Sequence, residues 1–262
     1  MFRYCLILLL FISVCADSSS QVSRAAACFH PGTYSKKFAD ALSVANNPAS
    51  LCLIKAFTAG VYAERKFMLQ GLQSGILSTA FPVFDGGAGI HLNYTGGGSY
   101  LQSEAGIGYA KQLGKAAIGV RFNYYNLLVR GYGQSGTFLA DIGSLWQLTE
   151  KLYAGLILCN PVGAKLVAYT YKAGLGYELS DQLLLSAECI KEEDRPINIR
   201  SALQYEPAPA CMLQLGITTA NAQPFAAAGL QWNQLRICMN VAWHARLGFS
   251  PAIALIYKTK TL

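Results

Sequence analysis

Beyond its first twenty residues the chain has no long apolar run. Its longest stretch without a charged residue, Pro207 to Leu235, is broken by three prolines and by scattered Asn, Gln and Thr. A helix crossing a bilayer needs about 20 predominantly apolar residues, so that stretch is not one. Charge is scarce too, at 13% of residues, where soluble domains average about 25%. The motifs H-E-x-x-H, C-x-x-C and G-x-S-x-G do not occur. "GYGQSG" at 131–136 has the spacing G-x-G-x-x-G, but a nucleotide loop must lead into a helix, and Thr137 opens an alternating strand. His30, His91 and His244 are far apart in sequence. No catalytic residue, metal site or cofactor is expected.

The cysteines exclude less. Eight are present, but Cys5 and Cys15 fall in the leader described below. Of the remainder, Cys159, Cys189, Cys211 and Cys238 lie inside expected strands and read as small buried hydrophobes. Cys28 and Cys52 bracket an N-terminal segment, which leaves a clip between them open. The spacings suit neither a zinc site nor a small disulfide scaffold.

What is present is apolar residues, 53% of the chain, arranged with a period of two. Arg3, the apolar run Cys5 to Val14 and the polar stretch Asp17 to Gln21 form a secretory signal peptide over 1–20, cleaved after Ala16 or Ser20. Removing Met1 to Ala16, with Arg3, takes the net charge from +7 to +6. An exported chain with no basic run longer than two residues has no evident use for nucleic acid. In "LRICMNVAWHARLG", 235–248, every odd position from Leu235 to Leu247 is apolar, while the even positions include Arg236, Asn240, His244 and Arg246. At ~3.3 Å per residue, the run is long enough to cross a bilayer as a tilted strand.

The same alternation recurs along the chain. It predicts strands at 55–66, 70–81, 86–94, 101–112, 115–127, 136–148 and 151–160, then at 168–179, 182–191, 196–206, 209–218, 223–232, 235–247 and 251–259. An even count, with tight turns after even strands and longer connections after odd ones, is the pattern of an outer-membrane barrel. Tyr109, Trp146, Tyr177, Tyr205, Trp232 and Tyr257 sit outward near the ends of even strands, where an aromatic girdle belongs. The expected fold is an all-β transmembrane antiparallel barrel of fourteen strands over 53–262. Its setting would be the outer membrane of a Gram-negative bacterium, with outer-membrane lipid around it.

Polar side chains on the inward face are the candidate lumen residues. They are His91, Glu104, Arg121, Asp141 and Lys172, followed by Glu178, Arg200, Arg236, His244 and Arg246; Glu64 and Glu188 share that face. Their mixed signs predict pairing within a filled lumen. Residues 21–52 form a separate segment ahead of the strands. Within it Phe38, Ala41, Leu42 and Ala45 are spaced for one face of a short helix, which Asn46-Asn47-Pro48 stops, because Pro48 disfavours helix at Asn47. Such a helix can plug the lumen from the periplasm, or the segment can be a periplasmic linker.

"FADALSVANNPASL", the long strand after it, and "LCNPVG" at 158–163 resemble the outer-membrane barrels related to the FadL fatty-acid transporter, particularly the PorV/PorQ group associated with type IX secretion. The Asn-Pro-Ala motif of those proteins is matched by Asn47, Pro48 and Ala49, preceded here by Asn46. The resemblance implies a fourteen-stranded barrel with an N-terminal plug. It also implies one of two roles. The first is docking of a secretion-system component or an exported protein; the second is transport of small hydrophobic molecules. Only Gly32 remains of the glycine-rich approach usual before the plug helix, and the outer loops are shorter than those of fatty-acid transporters. The short loops favour docking.

Overall fold

The computed structural model describes residues 30–161, 163 and 166–259. The expected signal peptide and Cys28, with the clip to Cys52, lie outside them. Fourteen strands follow one another around a closed antiparallel barrel. The first seven are β1 (Thr58–Arg65), β2 (Gln73–Val83), β3 (Gly86–Gly97), β4 (Tyr100–Leu113), β5 (Ala116–Val129), β6 (Gly133–Gln147) and β7 (Leu152–Cys159). The others are β8 (Thr170–Glu178), β9 (Leu183–Glu192), β10 (Asn198–Ala208), β11 (Cys211–Thr218), β12 (Gln223–Trp232), β13 (Leu235–His244) and β14 (Gly248–Lys258). Each pairs with its neighbours in sequence, and β1 closes on β14 with Thr58 opposite Lys258 and Glu64 opposite Ala252. Closure is obligatory, because an open edge in hydrocarbon would leave backbone groups unpaired at several kcal/mol each.

Alternation sorts the side chains as the sequence pattern predicts. Ile107, Phe122, Leu215 and Met239 face outward, all more than 60% exposed, which is the apolar surface that a bilayer covers. The six girdle aromatics also point outward, at the end of the barrel with the tight turns. Tyr257 anchors its ring there by donating its hydroxyl to Gln234 Oε1 at 2.7 Å. That end is the turn end below; the opposite one is the loop end.

Boundaries at the loop end depart from expectation. β13 stops at His244, and Ala245–Leu247 form a turn. The His244 Nδ1 accepts the backbone N–H groups of Arg246 and Leu247, at 3.2 and 3.1 Å, and Gly248 takes a φ of 83° to start the return strand. The alternation therefore runs on through a turn, and Arg246 is exposed in that turn, not in the lumen. Ten residues of strand reach ~33 Å, or roughly 25 Å upright at a 40° tilt, which is the height of an outer-membrane apolar band. Conversely, β4, β5 and β6 have 14, 14 and 15 residues and continue past their expected ends. Residues 95–100 and 128–135, which fell between expected strands, are mostly hairpin, with Arg130–Tyr132 at one tip.

The wall register yields a prediction. Met239 lies mid-strand facing lipid, and its neighbour Asn240 faces inward. Met239→Arg should cost about 2–4 kcal/mol of folding stability, the range measured for arginine near a bilayer midplane. Asn240→Arg should cost much less. Urea unfolding in liposomes checks the order, and equal losses would mean a register wrong by one residue.

Candidate functional site

The N-terminal segment enters the barrel at the turn end and packs against its inner wall. A 3-10 turn, Pro31–Tyr34, leads to α1 (Ala41–Asn46), then to a second 3-10 turn, Pro48–Leu53. Asp40 caps α1: its carboxylate accepts from the backbone N–H groups of Leu42 and Ser43 at 2.9 and 3.0 Å, and the Ser43 hydroxyl answers the Asp40 N–H. Two orphan donors at the helix start are thereby satisfied. Phe38 was expected on the helix but lies before it, because Asp40 sets the start. Asn47 ends α1 and its Oδ1 accepts from the Ala49 N–H at 3.0 Å, capping the turn that Pro48 opens.

Apolar burial supplies much of the grip. Leu42 and Ala45 pack with Tyr62 and Ile76 on the wall; Val44, Leu51 and Ile54 pack with Ala80 and Ala110. The wall makes room for this with missing side chains. A Cβ on Gly119 would stand 2.5 Å from the Pro48 carbonyl carbon, and one on Gly143 would strike the Asn47 side chain. Glycine is needed there for close approach of two backbones.

Polar wall residues hold the segment by its backbone and hydroxyls. Arg121 donates from Nη1 to the Ala45 carbonyl at 2.8 Å and from Nε and Nη2 to Asp141 at 3.2 and 2.9 Å. Asn123 also donates to Asp141, at 2.8 Å. Glu178 accepts from the Ser35 hydroxyl at 2.6 Å and from the Lys36 and Lys37 N–H groups at 3.0 and 3.2 Å. Glu188 accepts the Tyr34 phenol at 2.7 Å. Burial, reinforced by the Glu188 charge, pushes the Tyr34 phenol well above its ordinary range, so it stays a donor. Asn47 donates to the Ser144 carbonyl at 3.2 Å, and Lys37 pairs with Asp181 at the rim. A buried charge that is paired and hydrogen-bonded costs little, whereas truncating one partner strands the other.

The remaining expected lumen residues divide between two regions. Arg236 pairs with Glu206 at 3.2 Å, near the turn end. His91, Glu104, Lys172 and Arg200 line a cavity of about 370 Å³ toward the loop end, with Ala45 and Arg121 among its lining residues. Glu192 at the end of β9, with Lys66 and Arg195 from the connections at that end, completes its charged rim. His244 stands outside this cavity, stacked edge-on against Phe67 with centroids 5.5 Å apart. The β7–β8 connection folds inward, and Val167 is buried with Tyr125 and Leu139. The lumen is thus occupied by chain at the turn end and hollow toward the loop end. Mixed charges are paired where the segment sits, but Lys172 and Arg200 make no hydrogen bond or ion pair among the described residues.

Tyr34, Asp40 and the rim residues were not anticipated. The Asp40-x-x-Ser43 spacing is a capping signal that could have been found; Tyr34 carries none.

No family model matches the chain, and no curated protein matches it. Solved structures do share the fold. The toluene transporter TbuX of Ralstonia pickettii superposes with a TM-score of 0.61 at 11% identity, over 86% of this chain and 95% of that one. A FadL homologue of Pseudomonas aeruginosa gives 0.60 at 11% over 84% and 94%. The deltaS2S3 mutant of the monoaromatic hydrocarbon channel TodX gives 0.60 at 11% over 83% and 94%. The barrel therefore has the architecture of FadL-type outer-membrane barrels.

Two predictions concern the segment. Gly119→Leu should displace residues 41–53 while leaving the wall closed, and deleting 33–51 should remove most of that segment and also leave the wall closed. Single-channel conductance in planar bilayers should rise in both, and equal silence would show that the segment does not block the lumen. The second is a pH dependence. Burial alone would raise the Asp40 carboxyl, but the His30 imidazole and the helix-start N–H groups hold it below its ordinary value. A depressed carboxylate stabilises docking above its unfolded pKa, and that contribution is lost as pH falls through the folded one. Conductance should thus rise only below about pH 4, and at neutral pH in Asp40→Ala.

Proposed function

We propose that the protein is an outer-membrane transporter of small molecules, with hydrophobic ones as its cargo class, in a Gram-negative bacterium. In this reading residues 1–20 are removed on export, 21–52 form the plug and 53–262 the barrel. The observation that carries it is the cavity of about 370 Å³, which lies toward the loop end and is backed by the N-terminal segment. A protein that only docks partners has no use for such a hollow. The neighbours in fold are a toluene transporter and a monoaromatic hydrocarbon channel, which supports this class of cargo.

The chain's own residues suggest how passage would work. Ala45 and Arg121 line the inner part of the cavity, and the Arg121 guanidinium grips the Ala45 carbonyl. Releasing that contact frees the C-terminal end of α1, the part of the plug nearest the cavity. The plug NPA motif then acts as a seat: Asn47 on Ser144, Pro48 against Gly119 and Gly143, and Ala49 buried with Tyr153. A lining with charged residues gives an apolar solute little to bind, so uptake should be weakly saturable.

The docking role implied by the PorV/PorQ resemblance keeps one supporting feature, the short connections at the loop end. A secretion-system component or exported protein would be its partner.

Proteoliposomes holding the intact protein should take up a small aromatic hydrocarbon faster than protein-free vesicles, without saturating. Asn93→Trp, which fills the cavity from β3, should slow that uptake several-fold. Uptake equal to that of empty vesicles, together with unchanged behaviour of Asn93→Trp, would overturn the transport reading in favour of docking.

A further inference from the structure

The cavity has a chemistry that passage of apolar solutes does not use. Lys172 on β8 and Arg200 on β10 both point into it. The register fixes their relation. Lys172 stands opposite Ile190 of β9, which stands opposite Asn198 of β10; Arg200 is one inward position closer to the turn end. Two strand spacings amount to roughly 10 Å of separation between β8 and β10, so the two long side chains can reach one ligand placed between them. Thr170 and Asn198, also lining the cavity, can add hydrogen bonds beside the charges.

Neither cation makes a hydrogen bond or a close ion pair among the described residues. Glu188 faces Arg200 directly across the β9–β10 pair, yet accepts the Tyr34 phenol of the N-terminal segment at 2.7 Å. Lys172 has no acid opposite it on either neighbouring strand, only Ile157 and Ile190. By contrast Arg121 is committed to Asp141, and Arg195 lies 3.5 Å from Glu192. A smaller hollow of about 170 Å³ adjoins the first and shares Lys66 and Arg200 with it. Glu64 lines the smaller hollow and Glu104 the larger, each offsetting one positive charge. With the two ion pairs set aside, Lys66, Lys172 and Arg200 outnumber these acids. The excess lies on the β8–β10 side, away from Glu104 on β4.

We infer that this chamber is a binding site for a small multivalent anion bearing carboxylate or phosphate groups, held between Lys172 and Arg200. Arg200 offers a planar fork to one anionic group and Lys172 a point charge to another. Half-buried cations lose part of their hydration, and an anion between them restores the interaction. The inference goes beyond the transport reading, since occupancy of the chamber requires no passage past the plug.

Isothermal titration of the full chain in a neutral maltoside detergent at low ionic strength tests it. Citrate and pyrophosphate serve as the carboxylate and phosphate probes, with spermidine as the cationic control. One or both anions should bind one to one, and spermidine should not. Lys172→Gln and Arg200→Gln should each weaken binding about three- to tenfold, and the double variant should abolish it. Leu175→Met, on the outward face of β8, should leave it unchanged. Heat-modifiable migration on gels shows that each variant is folded. Absence of binding by both anions, equal affinity in the folded double variant, or equal binding of spermidine would overturn the assignment. Anion binding without hydrocarbon uptake would leave this site standing and remove the transport reading; uptake without anion binding would do the reverse.

Discussion

The structure depends on one closure, β1 against β14. A bilayer offers no water to backbone groups, so a wall of strands must end where it began. Once fourteen strands close, the lumen is wider than wall side chains can fill, since they fill barrels only up to about eight strands. Something else must occupy it or water will. The segment of residues 30–54 is that filling at the turn end, and the hollow at the loop end is what remains.

Filling a barrel with its own N-terminus creates an electrostatic problem, and the wall solves it by division of labour. Where the segment lies, wall acids accept its N–H and O–H groups: Glu178 at Ser35, Lys36 and Lys37, and Glu188 at Tyr34. The wall cation Arg121 takes the carbonyl at the end of α1. Glycines on β5 and β6 let the backbones meet. Beyond α1 no hydrogen bond or close ion pair reaches Lys172 or Arg200 among the described residues, and the same inward face turns from a seat into a chamber. Seat and chamber are thus consequences of one distribution of polar residues, read along the barrel axis.

Much of this was legible in the sequence, for a physical reason. A wall between lipid and lumen forces a period of two, so all fourteen strands and the outward girdle could be placed from alternation alone. Loop-end boundaries could not, because the period does not stop where the membrane does: β4 to β6 run on, and 245–247 keep the pattern inside a turn, which is how Arg246 came to be placed in the lumen. Inward residues such as Arg121 and Asp141 could be chosen, but their pairing depends on the β5–β6 register, Arg121 opposite Asp141. Nothing local fixes that register. Nor could the expectation of general pairing foresee that Glu188, opposite Arg200, would be taken by Tyr34.

The central claim is that the lumen is reached from the loop end and closed toward the turn end by the N-terminal segment. Its most direct measure is labelling with a membrane-impermeant maleimide in whole cells, using two variants in a background whose native cysteines are replaced by serine. Thr170→Cys, in the chamber, should label in intact cells. Lys55→Cys, at the turn end, should label only after the outer membrane is permeabilised. Labelling of Lys55→Cys in intact cells, or protection of Thr170→Cys until permeabilisation, would contradict the account.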